Sequence, residues 1–147
     1  MVVEIRAEEV FTVVAGYLHR CPPESFPHPV NDSVLPKLAS FIEAGMGHCW
    51  VAVGRDGLPD GVFFALFVED LFTDDLVAQE LFWHTLPGRR KGGAGMRLLR
   101  TFLAEAKRRK CRDVLVGYQM TDQNQFLEEI YRRMGFKLIA KGYKKVI

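Results

Sequence analysis

This 147-residue sequence has little of several things, and each shortage removes a class of protein. There are only three cysteines, Cys21, Cys49 and Cys111. They are odd in number and scattered, with no CxxC pair and no histidine at ligand spacing, which argues against both a disulfide framework and a zinc site, so no metal is expected. No apolar run approaches the roughly 18 to 20 residues a membrane helix needs. The opening MVVEIRAEEV lacks the basic start and apolar middle of a secretion leader. A cytoplasmic protein with no membrane partner is therefore expected. The net charge of +2 is too small to mark a nucleic-acid binder. Aromatic residues that could stack on bases are not interleaved with the cations, so no nucleic-acid partner is expected.

What is present is an ordinary globular composition, 48% hydrophobic and 26% charged, at a length that suits one domain spanning 1–147. VVEIR reads as a strand. AEEVFTVVAGYL reads as a helix, with Val10, Val13, Val14, Tyr17 and Leu18 at helical spacing. Four of the seven prolines fall in CPPESFPHPVND, a loop. Asp32 or Ser33 can cap a second helix whose stripe is Leu35, Leu38, Ala39 and Ile42, ended by Gly45 and Gly47. HCWVAV, GVFFALFVE and LVAQELFWHTL then form a three-strand meander.

The third strand runs into PGRRKGGAG and an amphipathic helix with Met96, Leu99, Phe102, Leu103 and Ala106 on one face. DVLVGYQM is a further strand. A last helix from about Asp122 to Met134 has Asp122 and Gln125 as a capping-box pair, an apolar stripe of Phe126, Leu127, Ile130, Tyr131 and Met134, and the pairs Glu128–Arg132 and Glu129–Arg133. FKLIAKGYKKVI closes as one strand or a short bent pair. The order β α α β β β α β α β argues an α/β (α+β) layer structure on a mixed sheet.

The junction carries the chemistry. A helix start exposes N–H groups that have no internal partner, its dipole adds partial positive charge, and glycines let a loop bring such groups together on an anion. Two nucleotide motifs fail here. Gly88 and Gly93 have P-loop spacing, but Ala94 and Gly95 stand where Lys and Ser or Thr belong; Gly93 and Gly95 begin a dinucleotide fingerprint that meets Leu98 instead of a third glycine.

The pattern that fits is R-x-x-G-x-G at Arg90, Gly93 and Gly95, followed by MRLL and later by NQFLEEIYRRMGF. Together these resemble the general-control-related N-acetyltransferase (GNAT) superfamily. The resemblance implies a mostly antiparallel central sheet flanked by helices on both faces, and transfer of an acetyl group from acetyl-coenzyme A to an amine. It also implies that Thr85, with Leu86, contacts the pantetheine arm between two splayed strands. Arg89, Arg90, Lys91, Gly92, Gly93, Ala94, Gly95 and Met96 would wrap the pyrophosphate, and Asn124 and Tyr131 would line the thiol end. Tyr131 would protonate the leaving thiolate.

A lysine-like amine must lose a proton before it attacks. For the base, strand alternation puts Glu80 and His84 on one face, and either could act directly or through water. The residues leave the acceptor open, from a small amine or polyamine to an antibiotic, a peptide N-terminus or a protein lysine. They also leave open a monomer or a homodimer, and a catalytically silent coenzyme-A-binding or protein-binding module. An acidic loop, Glu69 to Asp75, is a candidate attractor for a cationic acceptor.

Overall fold

The structure, a computed structural model, describes residues 1–26, 29–117, 125–140 and 142–147, with the side chains of Lys91, Gln125 and Phe126 left out. The chain divides into two compact units, Met1–Val116 and Gly117–Ile147.

The first unit holds a five-stranded sheet in simple sequence order: β1 (Val2–Ile5), β2 (Gly47–Val53), β3 (Pro59–Glu69), β4 (Leu76–Thr85) and β5 (Asp113–Leu115). The first four strands are antiparallel neighbours, and β5 joins β4 in parallel. One face packs against α1 (Val13–Arg20) and α2 (Val34–Glu43), where Val10, Val14, Tyr17 and Leu38 meet Ile5, Cys49, Val51, Val62 and Phe64. The other face is aromatic and is covered by α3 (Ala94–Arg108). The Phe102 ring lies 4.7 Å from Phe63, 6.1 Å from Phe67 and 6.4 Å from Trp50. Two layers of helix on a sheet with both faces apolar is what the near-continuous apolar reading of β2 and β3 requires. Burial also pushes the Cys49 thiol up to about 12, so it stays an inert core group.

Several local expectations change. The first helical stretch is split: Ala7–Phe11 is a 3-10 helix, and the α-helix starts at Val13. Ser33 makes no side-chain cap; Asn31 Oδ1 accepts from the Ser33 N–H at 2.9 Å instead. The buried stripe of α3 is centred on Leu98, Leu99 and Phe102 rather than on Met96 and Leu103. In the basic run that ends α3, Arg108 and Arg109 both reach the Glu105 carboxylate and hold its pKa down to about 2. Arg109 also stacks 4.6 Å over the Phe67 ring.

The second unit contains α4 (Gln125–Arg133), with Tyr131 buried and Arg132 paired to Glu128 at 2.5 Å; Arg133 pairs with Glu129. Asp122 of the expected capping pair lies outside the described residues, and of Gln125 the backbone alone is described. No strand occurs among the described residues of 136–147, where one strand or a bent pair is expected. Leu138, Ile139, Tyr143 and Val146 are all exposed there, so the alternation is not used to bury a face. No described helix is long and apolar enough to cross a membrane.

Candidate functional site

Strand β4 leads directly into the glycine-rich junction. Pro87–Gly92 forms a 3-10 turn, Gly93 takes the left-handed region at φ 73°, and α3 begins at Ala94. A side chain at Gly93 would be strained, which explains this glycine without reference to a ligand. Gly95 has a different reason: a Cβ there would come within 3.2 Å of Thr85 Oγ1 and 3.4 Å of Trp83 Cζ2, so its smallness lets α3 sit tightly on β4. Gly92 is open, with nothing within 4 Å of a Cβ. The first helical bond of α3 runs from Arg97 N–H to Gly93 O at 3.0 Å, so the N–H groups of Ala94, Gly95 and Met96 precede the ladder. Arg97 also folds back, donating from Nη1 to Gly92 O at 2.7 Å, and keeps its cation beside the junction.

Beyond this end, among the described residues, the pairing of β4 with β5 covers Val77, Ala78 and Gln79 against Asp113, Val114 and Leu115, whereas β4 itself continues beside β3 to Thr85. The register of β4 also jumps once. Phe64 faces Phe82 but Ala65 faces Glu80, so Leu81 is an extra residue in a β-bulge. The expectation that Glu80 and His84 share a face is thereby overturned, because the bulge offsets the alternation by one. Glu80 is opposite Ala65, which alternates with Phe63 and Phe67 on the side that α3 covers. His84 is opposite Val62, which belongs to the core under α1 and α2.

His84 is held closely. Tyr17 Oη lies 2.6 Å from His84 Nδ1 and 3.1 Å from His84 O. The hydroxyl has one proton and the carbonyl only accepts, so Tyr17 donates to the carbonyl and accepts from Nδ1–H. Nε2 then carries the lone pair, and it is buried with no hydrogen-bond partner among the described residues. The ring lies among Phe26 at 5.3 Å and Phe82 at 6.3 Å, with the Cys21 sulfur 3.8 Å from Nδ1. Burial, helped by the Arg90 charge, pulls the His84 pKa down to about 4, and burial raises that of Tyr17, so both are neutral at pH 7. Tyr17 was not singled out in the sequence because its place in the apolar stripe of α1 explains it fully.

A stability prediction follows from the direction of that shift. The unfolded His84 takes a proton near pH 6.5 and the folded one near 4, so the unfolded state binds more protons in that window. Stability is intact above pH 6.5 and is lost as pH falls toward 4, by up to about 3 kcal/mol, reduced by the water that reaches the half-buried ring. Urea unfolding at pH 7.5, 5.5 and 4.5 should show this slope, and His84→Gln should flatten it; an equal slope in the variant assigns it to other groups.

The remaining expected residues separate. Thr85 is partly buried at the end of β4, and the Leu86 side chain is buried in the core. Arg89 is occupied by carboxylates, with Nη2 3.4 Å from Asp56 Oδ2 and Nε 3.6 Å from Asp60 Oδ1. Arg90 is exposed. Of Lys91 the backbone alone is described, and Asn124 lies outside the described residues. Tyr131, in the second unit, donates from Oη to Gly117 O at 3.0 Å. The acidic loop is partly spoken for: Arg112 bonds Asp70 at 3.1 Å, Asp75 at 3.0 Å and Thr73 at 2.9 Å, whereas Glu69 and Asp74 are exposed carboxylates that Arg112 does not reach. Against the Pro-rich segment after α1 is a cavity of about 370 Å³ with Leu18, Cys21, Pro22, Phe26 and Val30 in its walls. No group of three or more metal-ligating side chains occurs among the described residues.

No protein-family model and no curated protein matches the sequence. Solved structures do match across the whole chain. A probable acetyltransferase superposes with a TM-score of 0.77 at 12% identity, covering 100% of this chain and 97% of its own. A ribosomal-protein-alanine N-acetyltransferase from Brucella melitensis biovar Abortus 2308 gives 0.68 at 12%, covering 100% and 99%. AAC(6′)-Iy, solved with the bisubstrate analogue CoA-S-monomethyl-acetylneamine, gives 0.72 at 16%, covering 100% and 98%. At such identities the likeness establishes the fold, an α+β fold with an open, mostly antiparallel five-stranded sheet between helices, shared with these acetyltransferases.

Proposed function

We propose that this chain, which has the GNAT acetyltransferase fold, is an N-acetyltransferase that moves an acetyl group from acetyl-coenzyme A to a primary amine by direct attack. The observation that carries the reading is the start of α3 at the end of β4. Three N–H groups precede the helical ladder there, next to an open Gly92 and the cations of Arg90 and Arg97. Such an arrangement suits a pyrophosphate. The β4–β5 pairing supports the rest: among the described residues it ends at Gln79 and Leu115, and a strand that outruns its neighbour offers a slot in which an extended pantetheine arm can lie.

In the reaction the amine lone pair attacks the thioester carbonyl carbon. A C–N bond forms, the C–S bond breaks, and its electron pair goes to sulfur. Tyr131 supplies the proton that sulfur takes, and Glu80, directly or through water, removes the proton that nitrogen loses. His84 is the weaker candidate for base: its lone pair is buried, and its pKa near 4 makes it a poor proton acceptor at neutral pH.

The test is Gly92→Asp. The added side chain meets open space, so folding is undisturbed, and a carboxylate near a helix start is favourable to the helix. The same carboxylate repels a phosphate. Calorimetric affinity for coenzyme A should fall at least about tenfold while the melting temperature holds or rises. Unchanged affinity in the folded variant would remove the junction as the coenzyme site.

A further inference from the structure

The glycine-rich turn is attached to β4 before it and α3 after it, and Arg97 of α3 holds its last carbonyl, Gly92 O. Its first residues are met by the β2–β3 hairpin. Asp60 O accepts the Leu86 N–H at 2.9 Å, which fixes the exit of β4. The Asp60 side chain is almost wholly buried against Gly54, where a Cβ would come within 2.5 Å of Oδ2. Its Oδ1 reaches no hydrogen-bond donor among the described residues, and the Arg89 Nε lies 3.6 Å from it. Asp56, whose other oxygen accepts from the Leu58 N–H at 3.1 Å, takes the second arm of the same guanidinium.

A buried carboxylate is costly without a countercharge, so Asp60 keeps Arg89 in place as firmly as Arg89 keeps Asp60. The two sit in distant parts of the sequence, on the β2–β3 hairpin and in the 3-10 turn. Arg89 and Arg90 are both exposed, but Arg89 is engaged by two carboxylates, Asp56 at 3.4 Å and Asp60 at 3.6 Å.

We infer that Asp60 is a positioning residue for the coenzyme loop. Through Arg89 it fixes the 3-10 turn, so that the N–H groups of Ala94 to Met96 and the Arg90 side chain are set for a pyrophosphate before it arrives. This rests on the coenzyme reading above. The advantage is pre-organisation: a loop already in its bound shape loses less entropy on binding. Arg89 also cancels a negative charge that would otherwise lie close to an anion site.

The experiment compares Asp60→Asn, Arg89→Met, the double variant and Arg89→Lys in the full chain. It reads calorimetric affinity for coenzyme A and amide hydrogen exchange from Gly92 to Met96. Each of the first two should weaken binding about tenfold and speed exchange at the junction, and the double should be no worse than the poorer single, because both remove one interaction. Arg89→Lys keeps the charge and should recover most of the affinity. If Asp60→Asn tightens binding while Arg89→Met weakens it, Arg89 is a phosphate ligand restrained by Asp60 and the inference is overturned. Unchanged exchange and affinity in folded Asp60→Asn would also overturn it. Exchange needs no coenzyme. Faster junction exchange in Asp60→Asn, in a protein that binds no coenzyme A at all, would sink the coenzyme reading and retain the strut.

Discussion

Replacing Tyr131 by phenylalanine should lower turnover by roughly 10²- to 10⁴-fold, the usual contribution of a positioned acid, with coenzyme affinity almost unchanged. The hydroxyl is the only group lost. The ring remains to fill its buried position, 5.5 Å from Phe136, and the hydrogen bond to Gly117 O costs about 1 kcal/mol when removed, too little to unfold a domain. An effect confined to kcat in steady-state assays therefore reports the proton delivered to sulfur. A variant at full speed ends the acid role, and one with raised KM and intact kcat makes Tyr131 a binding residue.

Glu80→Gln should produce a loss of the same order near neutral pH that shrinks as the pH rises toward the acceptor's own pKa, about 10.4 for a lysine-like amine. The sign follows from what the base does. At pH 7 almost every acceptor molecule is protonated and needs help, whereas near pH 10 a large share attacks unaided. Rate against pH, measured for both proteins on one amine, should give curves that converge on the alkaline side. A deficit independent of pH would remove the base role, and His84→Gln measured beside it would separate the two strand residues. His84 with Nδ1 engaged by Tyr17 should matter more to acid stability than to rate.

The strands of the meander could be read almost to the residue because β2 and β3 are apolar on both faces and bounded by Gly, Asp and Pro turns. The bulge could not. Leu81, Phe82 and Trp83 are all large and apolar, so nothing in the pattern marks which one is supernumerary, and the faces of Glu80 and His84 depend on that single residue. The cap of α2 was ambiguous for a similar reason: Asn31, Asp32 and Ser33 are all good capping types in a row, and the choice among them is made by backbone geometry. At the junction, the helix start and the glycines were legible, yet their reasons differ from one glycine to the next. Only Gly93 needs its positive φ, and Gly95 serves packing against Thr85 and Trp83. Arg89 looked like one more cation for an anion. Its engagement by Asp56 and Asp60 is a long-range pairing with no local trace. The final alternating segment shows the converse, a strand-like pattern with no strand among its described residues.

The crossover that makes β5 parallel to β4 also sets an order of exposure during synthesis. Strands β1 to β4 are complete as far as Thr85 before any of α3 has been made, and β2, β3 and β4 pair by local hairpins. Until α3 follows, the sheet face bearing Trp50, Phe63, Phe67 and Trp83 has no cover. A nascent chain paused at the glycine-rich junction thus presents to the cell an aromatic plane that the finished protein never shows, and it is at this length that the chain most needs a chaperone.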